Sequence, residues 1–377
     1  MKYLTGKTIL IKKTTMNYKT ALLLVTAILT VASAASQPFG ETRTYQRGFK
    51  AGRELTFDIS NKYGTIHITN GRNDSISVKA EVIASSSNLQ RMRKMLESVN
   101  VNMVQAGNSI RVNTDFGTSV GFLFEDFKNL TNKFINYENR LQVNYYITMP
   151  AETDLIIGNM YGDVYLEDVN ARLTLRHSNG SIQAGMIKNA SEINLTFVNG
   201  SVGGIESGSI TASFSEINIG HIGDVLVAGR SSKIEIESAG ALDLNSRRDR
   251  IVIGKTESMK IDSYFSTISA EEVSADISIK STYGSITLPL ISRSFGSLMA
   301  TSQFTELYFG FEKGTTAAID IKAASAQLFL PATDAKLETQ VISAEKDESV
   351  VFGTIGSGSA RPSVKIDVTR GSLRIVN

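Results

Sequence analysis

At 377 residues the chain can hold two ordinary domains or one extended one, and 42% hydrophobic with 20% charged residues excludes a disordered chain. Cysteine is absent, which removes disulfides, thiolate metal sites and a cysteine nucleophile. Three histidines argue against a histidine-rich metal centre, and a formal charge of +2 is too small to suggest a nucleic-acid partner.

Residues 17–34 have the form of a secretory signal. Lys19 supplies the positive start, Ala21 to Val31 an apolar run, and Ala32-Ser33-Ala34 the small residues of a cleavage site. Cleavage is expected after Ala34. The run is shorter than the roughly 20 apolar residues of a spanning helix. Met16 begins a better-shaped signal than Met1, which leaves the start open between the two, with residues 1–15 outside the signal in the second case. Residues 1–34 hold five lysines and no acid, leaving 34 basic against 37 acidic residues and a net charge of −3. No later apolar run is long enough to cross a membrane as a helix.

Residues 35–150 are expected to form a β-rich cap and first coil. Lys62-Tyr63-Gly64-Thr65-Ile66-His67-Ile68 is an early copy of a later pattern. A helix is expected over 86–99, with Leu89, Met92, Met95, Leu96 and Val99 on one face and Ser86 or Ser87 as its cap. A strand pair is expected around Ala106-Gly107-Asn108, followed by an aromatic insertion over 115–140. If exposed, Phe122, Phe124 and Phe127 of that insertion make an interaction surface; otherwise they cover the open end of the core.

From 151 to 345 a turn containing Gly, Asn or Ser is followed repeatedly by a short alternating run. Tyr161-Gly162-Asp163-Val164, Asn179-Gly180-Ser181-Ile182 and Tyr283-Gly284-Ser285-Ile286 are clear copies. Aligning the central apolar residue gives Val164, Ile182, Val202, Ile217, Ile234, Ile251, Ile268, Ile286, Leu307 and Leu328, in steps of 15–21 residues. A second series runs between them through Leu173, Ile193, Ile210, Val225, Leu242, Ile261, Ile277, Leu298 and Ile319. Such short two-strand units bury their apolar sides only by stacking. The expected fold is therefore all-β: a parallel β-solenoid of about ten two-strand coils, with consecutive hairpins of a sandwich as its structural rival. Residues 346–377 are expected to give a Gly/Ser-rich loop over 347–362, then closing strands 363–368 and 372–376.

Val143 to Tyr146, Pro150, Leu155 and Tyr161-Gly162-Asp163-Val164 together resemble the signature of the bacterial putative adhesin domain, a domain of unknown function related to head domains of putative autotransporter adhesins. The resemblance covers most of 55–377. It implies a right-handed parallel β-solenoid exported to the envelope of a Gram-negative bacterium, in the periplasm or on the outer surface. The helix at 86–99 and the aromatic stretch depart from a plain repeat.

Candidate chemistry is sparse. His67, His177 and His221 lie apart in the chain, and no H-E-x-x-H, G-x-S-x-G or P-loop motif occurs. The best local cluster is Asp243, Arg247, Arg248, Asp249 and Arg250, with Glu271-Glu272 about one coil later. It would suit a polysaccharide-active β-helix enzyme if two carboxylates stood roughly 5–9.5 Å apart; otherwise it is a solvated turn with surface ion pairs. The sequence thus points to a non-enzymatic envelope protein that offers a long surface to a protein or carbohydrate, without cofactor or metal. A polysaccharide-active enzyme and a structural or sensory part of an envelope-stress system are the alternatives.

Overall fold

The computed structural model describes residues 38–52, 54–71, 74–117, 139–358 and 362–377. The expected signal segment and Phe122, Phe124 and Phe127 lie outside these residues.

Among the described residues the chain forms one helix and one large sheet. The first strands are β1 (Phe39–Lys50), β2 (Thr56–Lys62), β3 (Ile66–Asn70) and β4 (Ser75–Ser86). Helix α1 (Leu89–Glu97) precedes β5 (Val99–Ala106), β6 (Ser109–Phe116), β7 (Asn139–Met149), β8 (Asp154–Met160) and β9 (Val164–Leu166). The repetitive part is β10 (Val169–Ser213), β11 (Glu216–Arg230), β12 (Lys233–Arg247), β13 (Arg250–Val273), β14 (Ile277–Ile291) and β15 (Ser297–Phe311). The chain ends with β16 (Ala317–Ala324), β17 (Gln327–Phe329), β18 (Ala335–Ser343), β19 (Glu348–Ile355), β20 (Ser363–Thr369) and β21 (Ser372–Val376). No described helix is long and apolar enough to cross a membrane.

Parallel pairing dominates, which removes the hairpin sandwich. From β8 through β10 to β15 each segment pairs in parallel with the next. Between β11 and β13 the partner of every residue lies 17 positions on, as in Ile217↔Ile234 and Ile234↔Ile251. A second column joins Val225, Leu242, Met259, Ile277 and Leu298. Alternation turns these aliphatic residues inward, and they form one continuous buried cluster. Antiparallel pairs are confined to the two ends: β1–β4, β4–β7 and β5–β6 at the first, β16–β19 and β18–β19 at the last.

Five details differ from the pattern in the sequence. In the second series Gly208, not Ile210, pairs with Val225, and Met259, not Ile261, pairs with Leu242 and Ile277. Gly200, not Val202, packs against Ile182 and pairs with Ile217; Val202 pairs with Ile219. A glycine in an apolar column hides that column from any hydrophobicity count. Leu307 and Leu328 are not neighbours, because β20 and β21 return to lie between β15 and the pair β16 and β17, placing Leu373 between the two leucines. The Gly/Ser-rich stretch contains a full strand, β19, whose Val351 and Ile355 are buried.

Helix α1 is shorter than its hydrophobic pattern. Asn88 caps it, its side chain accepting the Arg91 N–H at 3.0 Å, rather than Ser86 or Ser87. Met92, Met95 and Leu96 are buried against β4 and β1, whereas Leu89 is exposed and Val99 already belongs to β5. The helix thus covers apolar surface at the first end of the sheet.

Candidate interaction edge

Among the described residues the parallel-paired segments, called rungs below, turn at corners where one residue adopts left-handed backbone. Its N–H donates to a carbonyl at the matching corner of the next rung: Phe214 to Arg230, Ser231 to Arg247 and Arg248 to Tyr264, each at 2.9 Å. Seven of these corner residues are aromatic: Tyr63, Tyr161, Phe197, Phe214, Phe265, Tyr283 and Phe304, with φ between +52° and +64°. Bulky side chains rarely take this conformation, which costs an L residue roughly 1–2 kcal/mol.

The corner rings stack from rung to rung. Centroid distances are 5.4 Å for Tyr63–Tyr161, 5.0 Å for Phe197–Phe214, 4.4 Å for Phe265–Tyr283 and 4.8 Å for Tyr283–Phe304. The Arg370 guanidinium lies 5.6 Å from the Phe304 centroid. Yet the rings are not buried: Phe197 is 56%, Phe214 50% and Phe265 47% exposed. Asn179 interrupts the row once, and Ser231 and Arg248 together interrupt it again. Sequence patterning reads these positions only as turns. The signal that marks them is an aromatic residue directly before Gly, Ser or Thr, as in Tyr161-Gly162, Phe214-Ser215, Phe265-Ser266 and Phe304-Thr305.

Just inside the corner runs a polar column. The Ser215, Ser232 and Ser266 hydroxyls accept the N–H groups of Val198, Ser215 and Asp249, and the Asp249 carboxylate accepts that of Ser232 at 2.7 Å. Asp249 also accepts the Arg247 N–H and the Ser246 hydroxyl, each at 2.8 Å. It is almost fully buried, and burial pushes its carboxyl above the ordinary carboxylate range against the pull of these hydrogen bonds.

The acid–arginine cluster suggested by the sequence is not assembled as a carboxylate pair. Asp249 is buried at the corner that follows β12, whereas Asp243 lies within β12 in register with Lys260. Asp243 pairs with Lys260 at 2.8 Å, and Glu272 with Lys255 at 2.9 Å. The arginines fare differently. Arg230, Arg247, Arg248 and Arg250 are all exposed, and among the described residues none of them forms an ion pair.

The histidines stay apart. His67 lies between the Tyr146 and Tyr165 rings. His177 is buried with Nε2 at 2.9 Å from the Ser181 carbonyl and Nδ1 at 3.3 Å from that of Asn159, and burial lowers its pKa. His221 meets the Ser238 hydroxyl at 3.0 Å. Among the described residues no group of three or more His, Asp or Glu side chains is placed to hold a metal.

Neither a protein-family model nor a curated protein matches the chain. Three solved structures show low similarity. A putative cell adhesion protein of Clostridium sporogenes is 11% identical, covering 90% of this chain and 99% of that one, at a TM-score of 0.17. A putative adhesin of Bacteroides fragilis is 9% identical over 89% and 97% of the two chains, at 0.23. A putative lipid binding protein of Parabacteroides distasonis is 7% identical over 90% and 97%, at 0.26.

Proposed function

We propose that the mature chain is a right-handed parallel β-solenoid exported to the cell envelope, and that it acts without catalysis by offering its corner edge to a partner. One observation carries this reading: half-exposed aromatic rings held in left-handed backbone on successive rungs.

The balance of energies explains why. A bulky residue in this conformation costs roughly 1–2 kcal/mol, and a stacked pair returns about 0.5–1.5 kcal/mol. Asn179, Ser231 and Arg248 make the same turn without a ring. The turn therefore does not need aromatics, and their net contribution to stability is small. Exposed rings that add little to the fold suit contact with something else. Export rests on the apolar run and small residues of 17–34. A solenoid rests on the constant 17-residue offset between β11, β12 and β13.

The test is a triple variant, Phe197→Asn, Phe214→Asn and Phe265→Asn, with binding to a washed bacterial envelope fraction measured by co-sedimentation. The melting temperature should stay within a few degrees of the parent while co-sedimentation falls at least tenfold. Unchanged co-sedimentation by a folded triple variant would refute the reading.

A further inference from the structure

Charges that face each other across the rungs usually alternate in sign. Asp154 meets Arg172 at 2.6 Å, Glu216 meets Lys233 at 2.7 Å, Asp243 meets Lys260 at 2.8 Å and Arg293 meets Glu312 at 2.7 Å. The corner between Phe214 and Phe265 breaks this rule. There Arg230 is in register with Arg247, and Lys233 with Arg250. Like charges directly opposite one another destabilise a ladder. Arg248 adds another cation at the corner itself. The nearest acid on these rungs, Asp249, is turned inward and occupied by three hydrogen bonds. Glu216 and Glu235 are both engaged by Lys233.

The same corner is where the row of rings stops. Phe214 stacks on Phe197 along one side, and the next position on its other side is Ser231, a small residue. Beyond Ser231 come Arg248 and then Phe265, the first ring of the next stack. With about 4.8 Å per rung, Phe214 and Arg248 stand about 10 Å apart with only a serine between them. That gap accommodates one flat ring against Phe214, with arginine forks around it.

We infer that this notch binds a linear acidic polysaccharide: a sugar ring rests on Phe214 above Ser231, and the carboxylates of that unit and its neighbours pair with Arg230, Arg247, Arg248 and Arg250. Guanidinium forks match carboxylate geometry in a two-pronged manner, and their regular spacing along the rungs suits a chain with repeated anionic groups. A membrane surface is the poorer fit, because stacked rings turn their faces to each other along the row. This assignment rests on the reading of the corner as the contact edge.

The probe is polygalacturonate, measured by calorimetry with the full chain, with neutral dextran and vesicles of anionic phospholipid as comparisons. The parent should bind polygalacturonate, with affinity falling as salt rises, and neither dextran nor vesicles should compete. Replacing Arg230, Arg247 and Arg248 together by Gln should weaken binding at least tenfold, while Arg172→Gln on the opposite-sign pair should leave it unchanged. Ser231→Phe fills the gap beside Phe214 with a ring, so it should keep the melting temperature and weaken binding at least tenfold. Binding that survives both changes, no binding to polygalacturonate, or preferential binding to vesicles would overturn the assignment. Envelope co-sedimentation lost on ring replacement but untouched by the arginine variant overturns this assignment alone; co-sedimentation that survives both overturns the contact-edge reading beneath it.

Discussion

Asp249 is a buried carboxylate in a column otherwise made of serines, and it gives a sharp prediction. Replacing it by Ala removes the acceptor for the Ser232 and Arg247 N–H groups and for the Ser246 hydroxyl. The hydroxyl keeps a partner, since Ser246 also lies 2.8 Å from the Ser266 oxygen. Two backbone N–H groups are left without partners, at about 1–3 kcal/mol each, so Asp249→Ala should cost about 2–6 kcal/mol. Asp249→Ser installs the group used at Ser215, Ser232 and Ser266, restores the acceptor for Ser232 and should cost about half as much. Urea unfolding followed by circular dichroism measures both. The pH dependence has a definite sign. Burial raises the Asp249 carboxyl above its unfolded value, so its ionised form is the less favoured one in the folded chain. The stability of the parent relative to Asp249→Ser should therefore rise as pH falls from neutrality through the raised value, and level off below the ordinary carboxylate range. An Ala variant within about 0.5 kcal/mol of the parent, a smaller loss than any buried N–H should cost, would refute the reasoning. So would a Ser variant as damaged as Ala.

Two further substitutions probe the core. Ile251 is fully buried in the aliphatic column of Ile217 and Ile234, so Ile251→Ala should cost about 2–5 kcal/mol and lower the urea midpoint. Leu96→Ala should cost a similar amount. Because α1 packs on β4 and β1, hydrogen exchange should also quicken in those strands before the repetitive strands respond.

The aliphatic columns were legible because period-two alternation survives where Ile217, Ile234 and Ile251 recur at a fixed interval. They slipped at Gly200, where the aligned position carries no side chain to count, and in the second series at Ile210 and Ile261, whose places in the register belong to Gly208 and Met259. The insertion of β20 and β21 beside β15 was not legible, since Leu373 matches Leu307 no better by pattern than Leu328 does. Only the pairing of distant segments decides it. At the corner the aromatic residues were visible, but their exposure was not, because it depends on a backbone conformation such residues seldom adopt. Arg247, Arg248 and Arg250 were visible as a cluster, whereas Arg230 joins them only through the register.

The central claim is that the rungs are parallel and offset by 17 residues through β11, β12 and β13. A chain without cysteine allows a direct test with two introduced ones. Asn218 and Glu235 are register partners, about 4.8 Å apart, within the 4.4–6.8 Å Cα range of a disulfide. Asn218→Cys with Glu235→Cys should cross-link almost completely under mild oxidation, as seen by mass spectrometry. Asn218→Cys with Glu237→Cys, shifted by two residues to about 8 Å, should not. Cross-linking of the shifted pair in preference to the matched one would contradict the stacked-rung architecture.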